Sequence, residues 1–506
     1  MPLHFDLRNG YSSGMDKDQE IEHLRVEKIQ LQEHVHLLQA KVALQAHLLT
    51  QQDHLQEQVE QLTQRVQELE ARLSKDSHNS HLPPSSDRFS RQPKSLRKKS
   101  EKPSGGQHGH PGRHLMMVAQ PDDVILHAPE FCSSCQQDLT AQPVLGSCRR
   151  QVFDLPLPRI LVTEHQVQSK RCPGCQQVTA GVFPQDVSAP AQYGPALQAT
   201  AVALSQMHLL PDQRVCQVLE EMMGVSISVG SLHRWIARCA QHLHPIEAAI
   251  KTALQQARVL HQDETGLYVA GKRHWMHVSA TSSLTHYAVH PKRGREAMDA
   301  IGIAPHFTGI SLHDGWESYQ GYLCEHALCN VHHLRELTWL EETFAQSWAS
   351  DLKALLQEMK RATDQARCDG QLQLENTLQH DFVQRYETLL RQAESSLPPD
   401  PLPKPGKRGR RKRHPARCLW DRLRTSQQQV LRFIHNLAVP FDNSQAERDI
   451  RMVKVQQKVS GCFRSSAGAD AFCRIRGYIS TMRKQGHALL PVLEGALAGY
   501  PISPAF

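Results

Sequence analysis

The sequence predicts a multidomain α+β protein that begins with a coiled coil. The chain has 506 residues, enough for three or more domains with their own cores. Leucine and valine recur in heptads near the N-terminus, short alternating apolar runs after residue 257 indicate strands, and long glycine-poor stretches indicate helices. No apolar run is long enough to cross a membrane, and no signal peptide is evident. We therefore expect a cytoplasmic protein without a membrane partner.

Residues 20–75 predict the coiled coil. Apolar residues occupy two heptad positions, namely Ile21, Val35, Val42 and Leu49 at one and Leu24, Leu31 and Leu38 at the other. After Leu49 the pattern shifts by three residues and then resumes to Leu73. A seven-residue repeat flanked by Gln and Glu predicts self-association. The alternative is a single amphipathic helix that packs within the chain.

The net charge of +7 is concentrated in two segments. Residues 88–114 carry eight Lys/Arg and one acidic residue, within a flexible linker predicted over residues 76–126. Residues 404–417 carry eight Lys/Arg and no acidic residue, and they include Arg408, Arg410 and Arg411. Such clusters indicate a polyanionic partner; the alternative is two solvated basic linkers.

Residues 127–186 predict a zinc-binding domain. Cys132 and Cys135 form one Cys-x-x-Cys unit, and Cys172 and Cys175 form another. Two such units supply the four thiolates of a closed structural zinc site. Residues 150–155 and 159–167 alternate like strands and complete a predicted zinc ribbon. The alternative is a set of free, buried cysteines. Cys148 lies nearby outside both units, and we expect it to be a core residue or a bystander.

Helices are predicted over residues 190–250. A helix over residues 211–224 ends at a glycine, and a second helix begins at Ser231. This spacing fits a helix–turn–helix that binds DNA, and it fits an ordinary helical hairpin equally well.

Residues 257–330 predict the first part of a catalytic core. Four strands are expected over residues 259–261, 275–280, 286–290 and 309–313, with a helix over residues 293–301 before the last. Three strands, a helix and a further strand begin a ribonuclease-H-like fold. A helical and basic insertion over residues 331–424 separates this part from its completion at residues 425–465, which includes helices over 425–436 and 443–457. A C-terminal helical element is expected over residues 466–506.

Three acidic residues stand out by their positions. Asp263 and Asp314 follow predicted strands, and Glu447 lies near the start of a predicted helix. Carboxylates are the hard ligands that magnesium prefers, and a magnesium pair roughly 3.5–4 Å apart catalyses phosphoryl transfer. Strand alternation directs Glu264 away from Asp263. Among the neighbours of Glu447, Asp442 is expected to be a turn residue and Asp449 to pair with a neighbouring basic residue.

Several motifs together resemble one known family. They are Pro83-Pro-Ser-Ser-Asp87, Gly105-Gly-Gln-His-Gly-His-Pro-Gly112, the two Cys-x-x-Cys units, His261-Gln-Asp-Glu-Thr-Gly266, His313-Asp-Gly-Trp316, Asn443-Ser-Gln-Ala-Glu-Arg-Asp-Ile-Arg451 and the segment Gly477–Gly486. In this order they resemble the transposases of insertion-sequence family sixty-six. The resemblance implies a DDE-type transposase on a ribonuclease-H-like fold, with a helical insertion before the last acid.

The resemblance also assigns site residues. Asp263, Asp314 and Glu447 become the catalytic triad, which binds two magnesium or manganese ions. Lys454 lies seven residues after the glutamate and, with Arg448 and Arg451, becomes a candidate for DNA binding. The segment Cys329–Glu336 agrees only loosely with the family, which leaves the roles of His332, His333 and Arg335 open. A second metal cluster of Cys324, Cys329, His332 and His333 is an alternative to buried core residues there.

We therefore expect a nucleoid-associated bacterial transposase that cuts element ends and joins them to target DNA. The coiled coil would pair protomers, and small companion proteins of the same element are implied by the resemblance. Two alternatives remain, a structure-specific nuclease of the same fold and a non-catalytic DNA-binding scaffold.

Overall fold

A computed structural model describes residues 17–75, 79–80, 115–155, 160–400 and 413–506. These residues belong to two compact units, of which the first contains the N-terminal helix and the second contains the remaining helices and strands. The linker motifs between residues 81 and 114, and Arg408, Arg410 and Arg411, lie outside the described residues. None of the described helices has the length and apolar character that a membrane span requires.

The N-terminal unit contains one continuous helix, α1 (Lys17–Leu73), of 57 residues. It covers the segment that the heptads predict. Both heptad positions carry exposed side chains, including Leu31, Leu38 and Leu62. The helix thus presents an apolar seam along its length.

The cysteine-rich region has little regular structure. Strands β1 (Ser169–Arg171) and β2 (Val178–Ala180) pair antiparallel on either side of Cys172 and Cys175. The strands predicted over residues 150–155 and 159–167 are wrong, because the described parts of both segments lack strand pairing. Their apolar side chains, such as Leu161 and Val162, are exposed. Alternation produces a strand only where one face has a core to cover, and these segments have none.

Four helices precede the main sheet. They are α2 (Pro195–Val202), which continues as a π-helical turn to Met207, α3 (Asp212–Met223), α4 (Val229–His242) and α5 (His244–Gln255). Gly224 ends α3 with a left-handed φ of 66°, as the sequence predicts. The Ser228 side chain caps α4 by accepting a hydrogen bond from the Ser231 N–H.

A five-stranded mixed sheet forms the centre of the second unit. Its elements are β3 (Val259–Val269), β4 (Lys272–Ala280), β5 (Thr285–His290), α6 (Arg295–Ile301), β6 (Ile310–His313), α7 (Glu317–Gln320) and β7 (Glu325–Leu328). The strand order is β5-β4-β3-β6-β7. Strands β3, β4 and β5 pair antiparallel, whereas β6 pairs parallel with both β3 and β7.

Two features of this sheet differ from the prediction. Strand β3 extends eight residues past His261, because the turn at Ala270 and Gly271, both with positive φ, forms a hairpin with β4. Strand β7 was not predicted, since its four residues, unlike those of β6, do not alternate between apolar and polar side chains.

Helices complete the second unit. They are α8 (Asn330–Phe344), α9 (Ser347–Cys368), α10 (Asn376–Glu394), α11 (Pro415–Thr425), α12 (Gln427–Val430), α13 (Arg432–His435), α14 (Ser444–Ser460), α15 (Ser466–Lys484) and α16 (Leu489–Ala498). The single helix predicted over residues 425–436 is wrong. Two short helices, α12 and α13, occupy this segment instead and break at Leu431, and Val430, Leu431, Phe433 and Ile434 are all buried.

Helices α14 and α15 cover one face of the sheet. Leu267 and Val269 of β3 point to this face, where they join Ile450 and Val453 of α14 and Phe472 of α15 in one apolar cluster. Odd-numbered residues of β3 therefore face α14, and Asp263 is one of them. The cluster fixes the position of α14 against the strand.

Gly309 provides a test of how closely β6 approaches the chain before β3. A Cβ atom at Gly309 would lie 2.5 Å from the Ala257 carbonyl oxygen and 2.7 Å from that of Arg258. We predict that Gly309→Ala lowers the free energy of unfolding by about 1–3 kcal/mol, the usual cost of overpacking. Chemical denaturation of the purified chain measures the change.

Gly230→Ala is the matched control. Its Cβ would meet only the Ser228 Oγ, at 3.7 Å, and alanine is favoured in a helix. We expect this variant to be at least as stable as the wild type. Equal stability of the Gly309→Ala protein and the wild type would contradict the close approach.

Candidate active site

Asp263 and Asp314 lie side by side at one end of the parallel strands. The last paired residues of β3 and β6 are His261 and Leu312. Asp263 and Asp314 each follow two residues later, so they lie at the same level of the sheet. The Asp314 Oδ1 accepts a hydrogen bond from the Trp316 N–H at 2.8 Å, within a tight turn. The sequence predicts that Asp263 follows a strand. It lies instead within β3, close to the level at which β6, the parallel neighbour of β3, ends.

Glu447 reaches this edge from α14, whose first turn contains it. Asn443, the N-cap residue of α14, holds the start of this helix against β3. Its Nδ2 donates to the Gln262 carbonyl at 2.7 Å, and its Oδ1 hydrogen-bonds with the His261 ring at 2.9 Å. Because Asn443 is bound one residue before Asp263, the next helical turn carries Glu447 toward that carboxyl group.

The charges of Asp314 and Glu447 both act on the Asp263 carboxyl group, although the three carboxyl groups do not all lie within 4.8 Å of one another. Burial raises the pKa of Asp263 well above its usual value, and the negative charges of Glu264, Asp314 and Glu447 raise it further. A hydrogen bond from the Glu264 N–H opposes this effect. A carboxyl group in such surroundings favours a proton or a cation beside it.

Glu264 lies on the opposite face of β3, as alternation predicts. Its Oε1 accepts hydrogen bonds from Arg293 Nε at 2.9 Å and Nη2 at 2.6 Å, and its Oε2 accepts one from the Tyr319 hydroxyl at 2.5 Å. Burial and the charge of Asp314 raise the pKa of Glu264, against the effect of these donors. Glu264 is therefore bound to protein groups rather than directed at Glu447.

The other acidic residues near Glu447 have structural partners. The Asp442 Oδ1 accepts a hydrogen bond from the Ser444 N–H at 2.9 Å, which agrees with a turn residue. Asp449 forms an ion pair with Lys484 at 2.8 Å, and both side chains are largely buried. Asp442 thus has the role that the sequence indicates, whereas the basic partner of Asp449 lies on α15 and not among its neighbours in the sequence.

A stack of arginine and tryptophan side chains includes Trp316, whose N–H binds Asp314, and Arg293, which binds Glu264 on the face of β3 opposite Asp263. The Arg293 guanidinium lies 4.1 Å from the Trp316 ring centre and 4.9 Å from that of Trp275. Arg273 lies over the same Trp275 ring at 4.7 Å. Arg293 and Trp316 lie outside β4, the strand that carries Arg273 and Trp275, so no local pattern identifies the stack. Indole and guanidinium groups are suited to contact with nucleic-acid bases and phosphates.

The basic residues of α14 differ in exposure. Arg448 and Arg451 are exposed. Lys454 is half-buried, and its Nζ donates to the Gly266 carbonyl at 2.5 Å. Burial, followed by the charge of Arg273, lowers the pKa of Lys454. Lys454 therefore fastens α14 to β3, a structural contact that its sequence position does not indicate.

A compact group of possible metal ligands includes Glu447. Ligand atoms of Cys329, His332 and Glu447 all lie within 4.8 Å of one another. In the described part of the chain this is the one group of three or more Cys, His, Asp or Glu ligands at such distances. The alternative cluster of Cys324, Cys329, His332 and His333 is thus wrong in composition. Cys324 packs near Tyr322 instead, and the His333 ring hydrogen-bonds with Asn330.

The two Cys-x-x-Cys units form matching turns. The Cys132 N–H donates to the Gln137 carbonyl and the Cys172 N–H to the Gln177 carbonyl, both at 2.8 Å. Backbone N–H groups of Cys135 and Ser134 lower the pKa of the Cys132 thiol, and those of Cys175 and Gly174 lower that of Cys172. Within residues 115–155 and 160–186, however, the sulfur atoms of the two turns are not gathered at one point.

Comparison with known proteins identifies the chain's family. The zinc-finger binding domain of transposase IS66 matches residues 129–176, and a family of unknown function (DUF6444) matches residues 17–116. No curated protein and no solved structure matches the chain. The model of the transposase IS66 family matches residues 190–471, which is more than half of the chain and includes Asp263, Asp314 and Glu447. The chain therefore belongs to the transposase IS66 family.

Proposed function

We propose that this transposase cuts the ends of its element and joins them to target DNA by two-metal phosphoryl transfer. Asp263, Asp314 and Glu447 are the proposed metal ligands, on a core of ribonuclease-H-like type. The observation that carries the proposal is the strand register, which puts Asp263 and Asp314 at the same level of the sheet, with Glu447 one helical turn after Asn443, which is bound to Gln262. The charges of Asp314 and Glu447 both act on the Asp263 carboxyl group. Residues 184 positions apart in the chain thus act on one another at a single edge of the sheet.

The donor set fits magnesium or manganese. Carboxylate oxygens are hard ligands, and the repulsion at Asp263 is relieved when cations lie between the acids. Bound there, a pair of such ions would activate the attacking oxygen and stabilise the leaving one. The protein's part is to hold the ligands in place. The sheet positions Asp263 and Asp314, and Asn443 and the apolar face of α14 position Glu447.

DNA would approach the site through several groups. Exposed Arg448 and Arg451 on α14 suit phosphate contacts, and the stack of Arg273, Trp275, Arg293 and Trp316 adjoins Asp314. Lys454 remains a candidate for DNA binding, although it holds Gly266 in this structure. The basic segment with Arg408, Arg410 and Arg411 is a further proposed contact, as are the zinc-finger domain and the α3–α4 pair.

Two further assignments belong to this proposal. Cys132, Cys135, Cys172 and Cys175 would bind one structural zinc ion, because their turns lower the pKa of Cys132 and Cys172 and so favour the thiolate form. The exposed seam of α1 would pair two chains, so that two element ends meet. Companion proteins of the same element and association with the nucleoid also remain proposals.

Replacement of Asp263 by Asn tests the catalytic assignment. Asparagine keeps the shape but removes the negative charge. We predict that cutting of end-containing DNA in magnesium falls at least about 100-fold, the upper end of the loss seen when a residue supporting a metal ligand is changed. Thermal unfolding should show no loss of stability, because the repulsion at this position is removed. Both are measured on the purified full-length chain.

Asp442→Asn is the matched control, because Asp442 lies near Glu447 but serves a turn. It should cut at close to the wild-type rate. Wild-type cutting by a folded Asp263→Asn protein would end the assignment. In the same assay, cutting without joining would favour a nuclease, and DNA binding without cutting would favour a scaffold protein.

Replacement of Cys172 by Ser tests the zinc assignment. We predict that the variant loses one zinc ion per chain by metal analysis, since the three remaining ligands no longer close a tetrahedral site. Cys148→Ser is the control, because Cys148 is an exposed cysteine outside both turns. Equal zinc content in the wild type and the Cys172→Ser protein would refute the assignment.

Replacement of Leu38 by Asp tests self-association. Pairing of two chains would bury Leu38 between their helices. Loss of a buried leucine costs about 2–5 kcal/mol, so the dissociation constant of the pair should rise more than about tenfold. Leu37→Asp is the control, because Leu37 is also exposed on α1 but lies outside both heptad positions. Sedimentation equilibrium compares the two. If the Leu38→Asp protein associates as strongly as the Leu37→Asp protein, the apolar seam of α1 does not pair the chains.

A further inference from the structure

We propose that Cys329, His332 and Glu447 form a second site for a zinc-like divalent cation, distinct from the Cys-x-x-Cys turns. An ion held there would divert Glu447 from the magnesium ligands and so inhibit DNA cutting. The inhibitory effect rests on the proposed function, whereas the binding itself does not.

The distances fit a tetrahedral ion. The His332 Nε2 lies 3.7 Å from the Glu447 Oε1, and the three ligand atoms are all within 4.8 Å of one another. Zinc bonds of about 2.0–2.1 Å to nitrogen and oxygen and about 2.3 Å to sulfur place tetrahedral ligands roughly 3.3–3.6 Å apart. Small side-chain movements therefore suffice to close the group around one ion.

The backbone that carries these residues is already held in place. Cys329 directly follows β7, and its N–H donates to the His313 carbonyl at 2.9 Å. Its sulfur accepts a hydrogen bond from the Asn443 N–H at 3.2 Å. His332 follows one helical turn later on α8, and Glu447 follows Asn443 by one turn on α14. The starts of both helices are thus joined at the site.

The donor types select the ion. A thiol, an imidazole and one carboxylate suit zinc, whereas magnesium prefers six oxygen ligands. Three protein ligands leave a fourth position for water. On binding, the Cys329 thiol would release its proton to solvent, since the thiolate is the ligand.

The consequence for the active site follows from Glu447, which the two sites share. Its carboxylate contributes to the negative charge around Asp263. A zinc ion bound with Cys329 and His332 would neutralise that charge and hold the carboxylate on the α8 side. Magnesium would then lose one of its three proposed ligands.

Zinc stoichiometry of the full-length chain tests the site. We expect Cys329→Ser and His332→Ala to bind one zinc ion per chain fewer than the wild type after equilibrium dialysis. Cys324→Ser is the control, a cysteine five residues before Cys329 that is not among the three ligands. It should bind as much zinc as the wild type. Because Cys329 is fully buried and its change can affect folding, His332→Ala, whose side chain is 14% exposed, provides a second reading. Unchanged zinc content in both site variants would overturn the proposal.

Zinc inhibition separates this proposal from the proposed function. Each protein's cutting in magnesium is compared with and without added zinc, so that every variant is its own reference. We expect zinc to reduce cutting at least about tenfold in the wild type and the Cys324→Ser protein, and less in the His332→Ala protein, as metal-site variants lose affinity 10–100-fold. Equal inhibition of all three would refute the regulatory part. Absence of any cutting, with zinc lost only from the site variants, would refute the transposase mechanism and leave the zinc site standing.

Discussion

The hydrogen bonds of Asn443 determine whether the acidic residues can act together. One amide side chain binds both the carbonyl of Gln262 and the ring of His261, while its own N–H binds the sulfur of Cys329. It therefore joins three segments, β3, the start of α8 and the start of α14. Arg367 of α9 supports the chain before it by donating to the carbonyls of Leu437 and Val439, each at 2.9 Å. The helical insertion thus helps to place Glu447.

The arrangement gathers negative charge in a partly buried place. Burial raises the pKa of both Asp263 and Glu264, yet the two side chains differ in their hydrogen-bond partners. Glu264 has Arg293 and Tyr319 as partners, whereas the only hydrogen bond to Asp263 comes, among the described residues, from its neighbour's N–H. Such an asymmetry separates a supporting carboxylate from one that is available to a cation or a proton. Arg293 also connects Glu264 to the tryptophan rings, so the same ion pair links the sheet to the proposed DNA surface.

Local patterns predicted much of this, and long-range contacts explain the rest. The glycine that ends α3, the strands at Trp275 and His286 and the helix of Glu447 all follow from short-range signals. Alternation also placed Glu264 correctly on the face opposite Asp263. The strand predicted around Leu161 is absent because alternation with a period of two does not show whether the apolar face has a core to pack against. Asn443, the Arg293 stack and the Cys329–His332–Glu447 group depend on residues more than 100 positions apart or on different elements. No local window contains them.

The most direct measurement is a crystal structure of the full-length chain grown with manganese, with anomalous scattering used to locate the ions. We predict two manganese peaks, roughly 3.5–4 Å apart, bounded by the carboxylates of Asp263, Asp314 and Glu447. Ordered carboxylates at this edge without manganese between them, or manganese bound by other residues, would contradict it.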